Sequence, residues 1–135
     1  MILLMMQGTR KLLGAKSLKF IGITYTLFIT FLLLFPTTNI PKVEVPAIDK
    51  LGHVILFAIL VIIWLLFVLS KTKGKLTSIW VVLSAFFYGI IIEVSQGLFF
   101  ESRTADEWDI FANSAGILLG WLIFQKIKKI FILKN

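Results

Sequence analysis

A glutamate, Glu93, interrupts an otherwise apolar stretch that runs from Leu76 to Phe100. An ionised group at the centre of a membrane helix costs about 2.5–3.5 kcal/mol on insertion scales, so a residue of this kind marks a functional candidate by default. Gln96 follows three positions later, which puts both side chains on one helical face with Gly89 and Phe100 close to the same stripe. That face is expected to point into a bundle. The one histidine, His53, stands four residues after Asp49, so a helix aligns the carboxylate with the ring and lets it orient the imidazole. Lys50 lies between them. A third group runs Arg103, Asp106, Asp109, Asn113, Gly116 and Gly120, and its spacings of three and four place all but Arg103 on one stripe.

These residue types fit two kinds of chemistry. Glu93 or Asp109 beside His53 has the ingredients of a general base acting on a lipid head group. The same set, with Arg103 holding an anion, fits a site that binds and does not react. Ser95 and Ser102 occupy no recognisable nucleophile elbow. One histidine with carboxylates would suit a hard or borderline metal ion, but neither HExxH nor a paired-histidine spacing occurs, so no metal and no cofactor is assigned.

Plainer roles compete for the same residues. Thr104 with Glu107 fits a capping box, Asp106 fits helix-start chemistry, and Asp49 fits an N-cap. Gly116 and Gly120 form a small-xxx-small packing pattern. His53 fits a hydrogen bond between helices. Trp64, Trp80, Trp108 and Trp121 lie mostly near span ends, where aromatic anchoring is the default.

The elements that hold these groups are set by composition. Of 135 residues, 59% are hydrophobic and 16% charged, and the mean hydropathy is +0.97. A water-soluble fold is excluded by that balance. A spanning helix needs about 20 apolar residues, so four spans nearly exhaust the chain and leave no room for a separate soluble domain. The expected architecture is all-α, a single integral membrane domain over 1–135 with spans near 18–35, 51–69, 76–100 and 108–125. Leu18 to Phe35 has four basic residues, Arg10, Lys11, Lys16 and Lys19, at its start as a signal peptide would, but it is long and lacks a small-x-small cleavage pattern, so it reads as an anchor. Prolines 36, 41 and 46 mark the connection after it. Ile110 to Phe124 forms the core of the fourth span and is shorter than ideal unless neighbouring helices shield its polar first turns.

The net charge of +7 does not point to nucleic acid, because the basic residues sit in short loops and at the ends. The N-terminal arm, the 71–75 loop and the tail hold eleven of them, whereas the opposite side has Lys42, Lys50 and Arg103. The positive-inside rule therefore puts both termini in the cytoplasm, and the polar residues near the outer face. With no cysteine, thiol chemistry is excluded.

Three blocks together resemble the VanZ-like family of small bacterial membrane proteins: Asp49-Lys50-x-x-His53, Glu93-x-x-Gln96, and Arg103-x-x-Asp106-x-x-Asp109-x-x-x-Asn113-x-x-Gly116. They cover Asp49 to Gly120, about half the chain. The stretch from Gly97 to Ser102 departs from the family, lacking its usual proline- and glycine-containing approach to the arginine. The resemblance implies a place in the bacterial plasma membrane and a role at the cell envelope, and it carries a link to resistance to the glycopeptide teicoplanin. It supplies no reaction. The expectation is an outward-facing polar pocket of Asp49, Lys50, His53, Glu93, Gln96, Arg103, Asp106, Asp109 and Asn113. Its partner would be a lipid-linked or anionic envelope component. The alternatives are a membrane-embedded enzyme and an accessory subunit whose polar residues are interhelical glue.

Overall fold

A computed structural model describes residues 14–35, 46–71, 75–99 and 105–133. Four helices account for nearly all of them: α1 (Ala15–Leu34), α2 (Pro46–Lys71), α3 (Lys75–Phe99) and α4 (Glu107–Leu133). Each is long and apolar enough to cross a membrane, and no strand occurs among the described residues. The protein is an all-α, multi-pass membrane protein.

Local chemistry sets the helix bounds. α1 ends at Leu34, just before Pro36, which disfavours helix in the residue ahead of it. α2 opens on Pro46, where a missing N–H costs nothing, and so begins a full turn earlier than the apolar run at Leu51 suggests. Asp49 consequently sits inside the first turn and is not the N-cap. α4 runs past the expected end near 125, because Lys126, Lys128 and Lys129 are good helix formers that carry their charge beyond an apolar stem. The fourth span is therefore not short. Within α1, Thr26 and Thr30 donate their hydroxyls to the carbonyls of Gly22 and Thr26, both at 2.7 Å, which satisfies them without water.

Successive helices alternate in direction. The C-terminal ends of α1 and α3 meet the N-terminal ends of α2 and α4 at one end of the bundle, as the Gln96–Leu33 and Lys50–Asp109 contacts show. The core is apolar and includes Ile29, Leu33, Phe57, Val61, Leu65, Ile92, Ile117 and Phe124. Large apolar side chains such as Phe20, Phe31, Phe87, Leu98 and Phe111 face outward, as lipid-facing residues do. With apolar groups on both faces, burial from water cannot choose the packing. Small residues and polar contacts have to. α2 and α4 form the most extensive pairing, and a Cβ added at Gly120 would stand only 2.5 Å from the Ala58 carbonyl oxygen. Glycine there lets the two backbones touch.

A second polar seam ties α1 to its neighbours. Thr30 Oγ1 and the Tyr88 hydroxyl are 2.8 Å apart, Tyr25 donates to the Leu56 carbonyl at 3.0 Å, and Trp64 Nε1 donates to Thr26 Oγ1 at 3.1 Å. Trp64 thus serves the bundle interior and is not an interfacial anchor. Trp80 and Trp108 are exposed, in keeping with the anchoring role.

Candidate functional site

The polar residues from α2, α3 and α4 converge at the end of the bundle where α2 and α4 begin. Glu93 is 1% exposed, Gln96 and Asn113 2%, His53 3% and Asp109 7%. Burial of this degree requires partners. From α2, Lys50 Nζ donates to Asp106 Oδ2 and to Asp109 Oδ1, each at 2.8 Å. One turn further, His53 Nδ1 stands 2.9 Å from Asn113 Oδ1. From α3, Glu93 Oε1 accepts from Asn113 Nδ2 at 3.5 Å and lies 3.8 Å from His53 Nδ1. On the other side of the ring, His53 Nε2 is 3.9 Å from Asp109 Oδ2. The second carboxylate oxygen of Glu93 is buried and has no hydrogen-bond partner.

The helices place these groups by simple periodicity. Asp109, Asn113 and Gly116 fall on one stripe of α4, and the close approach at Gly116 presses that stripe against α2, so that Lys50 and His53 meet Asp109 and Asn113 in register. Glu93 then closes the cluster from α3. Asp106 immediately precedes α4, and its Oδ1 accepts from the Trp108 N–H at 2.9 Å, which is N-cap geometry. It is at once the cap and a ligand of Lys50. The hydrogen bond from Lys50 Nζ, assisted by the Trp108 N–H, holds the Asp106 carboxyl below its ordinary pKa.

The expected residues are thus placed as follows. Lys50, His53, Glu93, Asp106, Asp109 and Asn113 form one contiguous network. Asp49 stands exposed at its rim, and its carboxylate, a ring nitrogen of His53 and an Asp109 oxygen all lie within 4.8 Å of one another. Gln96 shares the buried face of Glu93 but turns toward α1, donating to the Leu33 carbonyl at 2.6 Å. Arg103 lies outside the described residues, as do Thr104 and its suggested capping box. α1 contributes the backbone carbonyl of Leu33, and no side-chain type at that position signals it. Two cavities of about 470 and 420 Å³ lie elsewhere along the bundle, are lined mainly by apolar residues, and touch no member of the network. The first is bordered by Thr26, Trp64 and Tyr88.

Chemically, the arrangement is an imidazole between two carboxylates, Glu93 and Asp109, with a lysine at the rim bridging Asp109 to a third, Asp106. It can hold or relay a proton, and it can bind a cation. With Lys50 and two helix N-termini alongside, it can also meet an anion once its acids are balanced. No curated protein matches the chain. No solved structure matches it either. The family model described as VanZ/LLP1 matches residues 2–131, nearly the whole chain, and the protein accordingly belongs to the VanZ/LLP1 family.

Proposed function

We propose that this protein works at the bacterial cell envelope, in the plasma membrane with both termini cytoplasmic, and binds the anionic head group of a lipid-linked envelope component at its outward-facing polar site. The observation that carries this reading is Lys50 standing where α2 and α4 both begin, bridging Asp106 and Asp109. Two helix N-termini and an ammonium group then lie together at the rim, and all three favour a phosphate or carboxylate. The neighbouring acids oppose an anion until a proton or cation joins them, so binding depends on pH or on divalent ions. A link to teicoplanin resistance follows if the bound component is a precursor that the glycopeptide also recognises.

A second reading is acid–base catalysis on the same head group. It is favoured by His53 lying between Glu93 and Asp109 at 3.8 and 3.9 Å. Mass spectrometry of lipids co-purified with the wild type and with Glu93→Gln tests the binding reading. Enrichment of an anionic lipid-linked species that the variant loses supports it, and an identical lipid profile in both overturns it. Conversion of the enriched lipid to a new product by the wild type alone would favour catalysis.

A further inference from the structure

Among the described residues, the network and its rim hold four carboxylates, Asp49, Glu93, Asp106 and Asp109, and one lysine, Lys50. Asp49 and Asp106 meet water, but Glu93 and Asp109 are buried, and an ionised group held away from water needs an opposing ion. The hydrogen bonds say where it belongs. Asn113 Nδ2 donates to Glu93 Oε1, which turns Asn113 Oδ1 toward His53 Nδ1. An amide oxygen only accepts, so Nδ1 carries the proton, and the tautomer protonated there offers Nε2, on the opposite edge of the ring, as a ligand atom. Nε2 in turn stands 3.9 Å from the carboxylate oxygen Asp109 Oδ2.

An imidazole nitrogen and a carboxylate oxygen placed this way can take a positive group between them. The gap is too long for a shared hydrogen bond. A zinc–nitrogen and a zinc–oxygen bond laid end to end span about 4.1 Å, and in a tetrahedral site the two donors stand about 3.4 Å apart, so an ion fits between these atoms once they close by about 0.5 Å. The other oxygen of Asp109 is already occupied by Lys50, which leaves Oδ2 for an ion. Asp49, at the exposed rim, offers the third ligand within 4.8 Å.

We infer that Asp49, His53 Nε2 and Asp109 Oδ2 form a binding site for one divalent cation, with Asn113 as the positioning residue that fixes the histidine tautomer. One imidazole nitrogen with two carboxylate oxygens selects a borderline ion such as Zn²⁺ or Mn²⁺ over Ca²⁺, which prefers oxygen alone. A histidine ligand whose other nitrogen donates to a fixed acceptor is the arrangement found at protein metal centres. Three protein ligands leave a coordination position open toward the rim, where a phosphate oxygen would complete the shell. The sequence by itself assigned no metal because the ligands come from two helices, sixty residues apart, with no local motif. The cation site stands on this geometry and does not require that a lipid bind.

The test uses the full chain reconstituted in nanodiscs of phosphatidylcholine, which supply no anionic head group, titrated with Zn²⁺ and with Mn²⁺ by calorimetry and, for Mn²⁺, by electron paramagnetic resonance. The wild type should bind one equivalent saturably. Asp49→Asn and His53→Gln should weaken the affinity at least tenfold, and Glu107→Gln, an exposed acid outside the triad, should leave it unchanged. Asp49 is exposed, so its substitution does not threaten the fold, and circular dichroism verifies this. Absence of saturable binding by the wild type, or equal binding by Asp49→Asn, would overturn the site. Because no envelope lipid is present, neither result bears on the head-group reading.

Discussion

Gly116 of α4 faces the Val54 carbonyl of α2 so closely that a Cβ on Gly116 would fall onto that oxygen. This backbone contact sets the distance between the helices that supply His53, Lys50, Asp109 and Asn113. Gly116→Ala is expected to cost about 1–3 kcal/mol, because the added methyl has no side chain to push aside and must separate two backbones. Gly52 lies on the same helix as Val54, and a Cβ there meets nothing within 4 Å. Gly52→Ala should therefore be neutral or stabilise by up to about 1 kcal/mol. Thermal melting of the two variants in one detergent checks the opposite signs; a Gly116→Ala protein as stable as the wild type would show that the helices have slack.

Removing Lys50 should be costly in a different way. Lys50→Met keeps the stem but leaves Asp109, which is nearly buried, without the ammonium group on its Oδ1. Hydrogen bonds to charged groups contribute roughly 1.5–3 kcal/mol, and the orphaned carboxylate adds its own desolvation. The double variant Lys50→Met/Asp109→Asn should recover much of the loss, since it removes the unpaired charge as well. Additive losses in the double-mutant cycle would mean that the pair is not coupled.

The part of this site that the sequence discloses is the part governed by strong penalties. An ionisable Glu93 in an apolar helix has to face inward, so its meeting with His53 and Asn113 follows from spacing and topology. The α4 stripe from Asp109 to Gly120 is legible for the same reason. Gln96 is different: its partner is the Leu33 carbonyl, and every residue carries a carbonyl, so nothing in residue type identifies α1 as the recipient. Lys50 is a named member of the expected pocket, but its ion-pair partners are not legible, since a lysine at a span end equally suits a topology signal or a ligand. Asp106 holds two roles, helix cap and ion-pair partner, that sequence reasoning sets against each other.

Membrane orientation is testable with little background because the chain has no cysteine. Glu107 is exposed at the site end and Ser70 is exposed at the opposite end, near the basic 71–75 loop. In intact cells a membrane-impermeant maleimide should label Glu107→Cys, while Ser70→Cys should react only after permeabilisation. The reverse pattern would put the polar site on the cytoplasmic side and remove the envelope reading.

Asp106 supplies a pH signature whose sign is fixed by its surroundings. Its carboxyl is held below the ordinary 3.8 first by the hydrogen bond from Lys50 and then by that from the Trp108 N–H. A depressed folded-state pKa means that the ionised form is the stabilised one. The contribution is complete above the unfolded value and is lost as the pH falls through the lower, folded one. Asparagine caps helices as well as aspartate does, so Asp106→Asn keeps the acceptor for Trp108 and removes only the charge facing Lys50. The variant should melt below the wild type by a constant margin between about pH 5 and 8, and the margin should shrink as acid protonates the wild-type carboxyl. Because the group is partly exposed, the margin should also narrow in high salt. A difference that persists or widens on acidification would show that Lys50 draws its stabilisation from Asp109 alone.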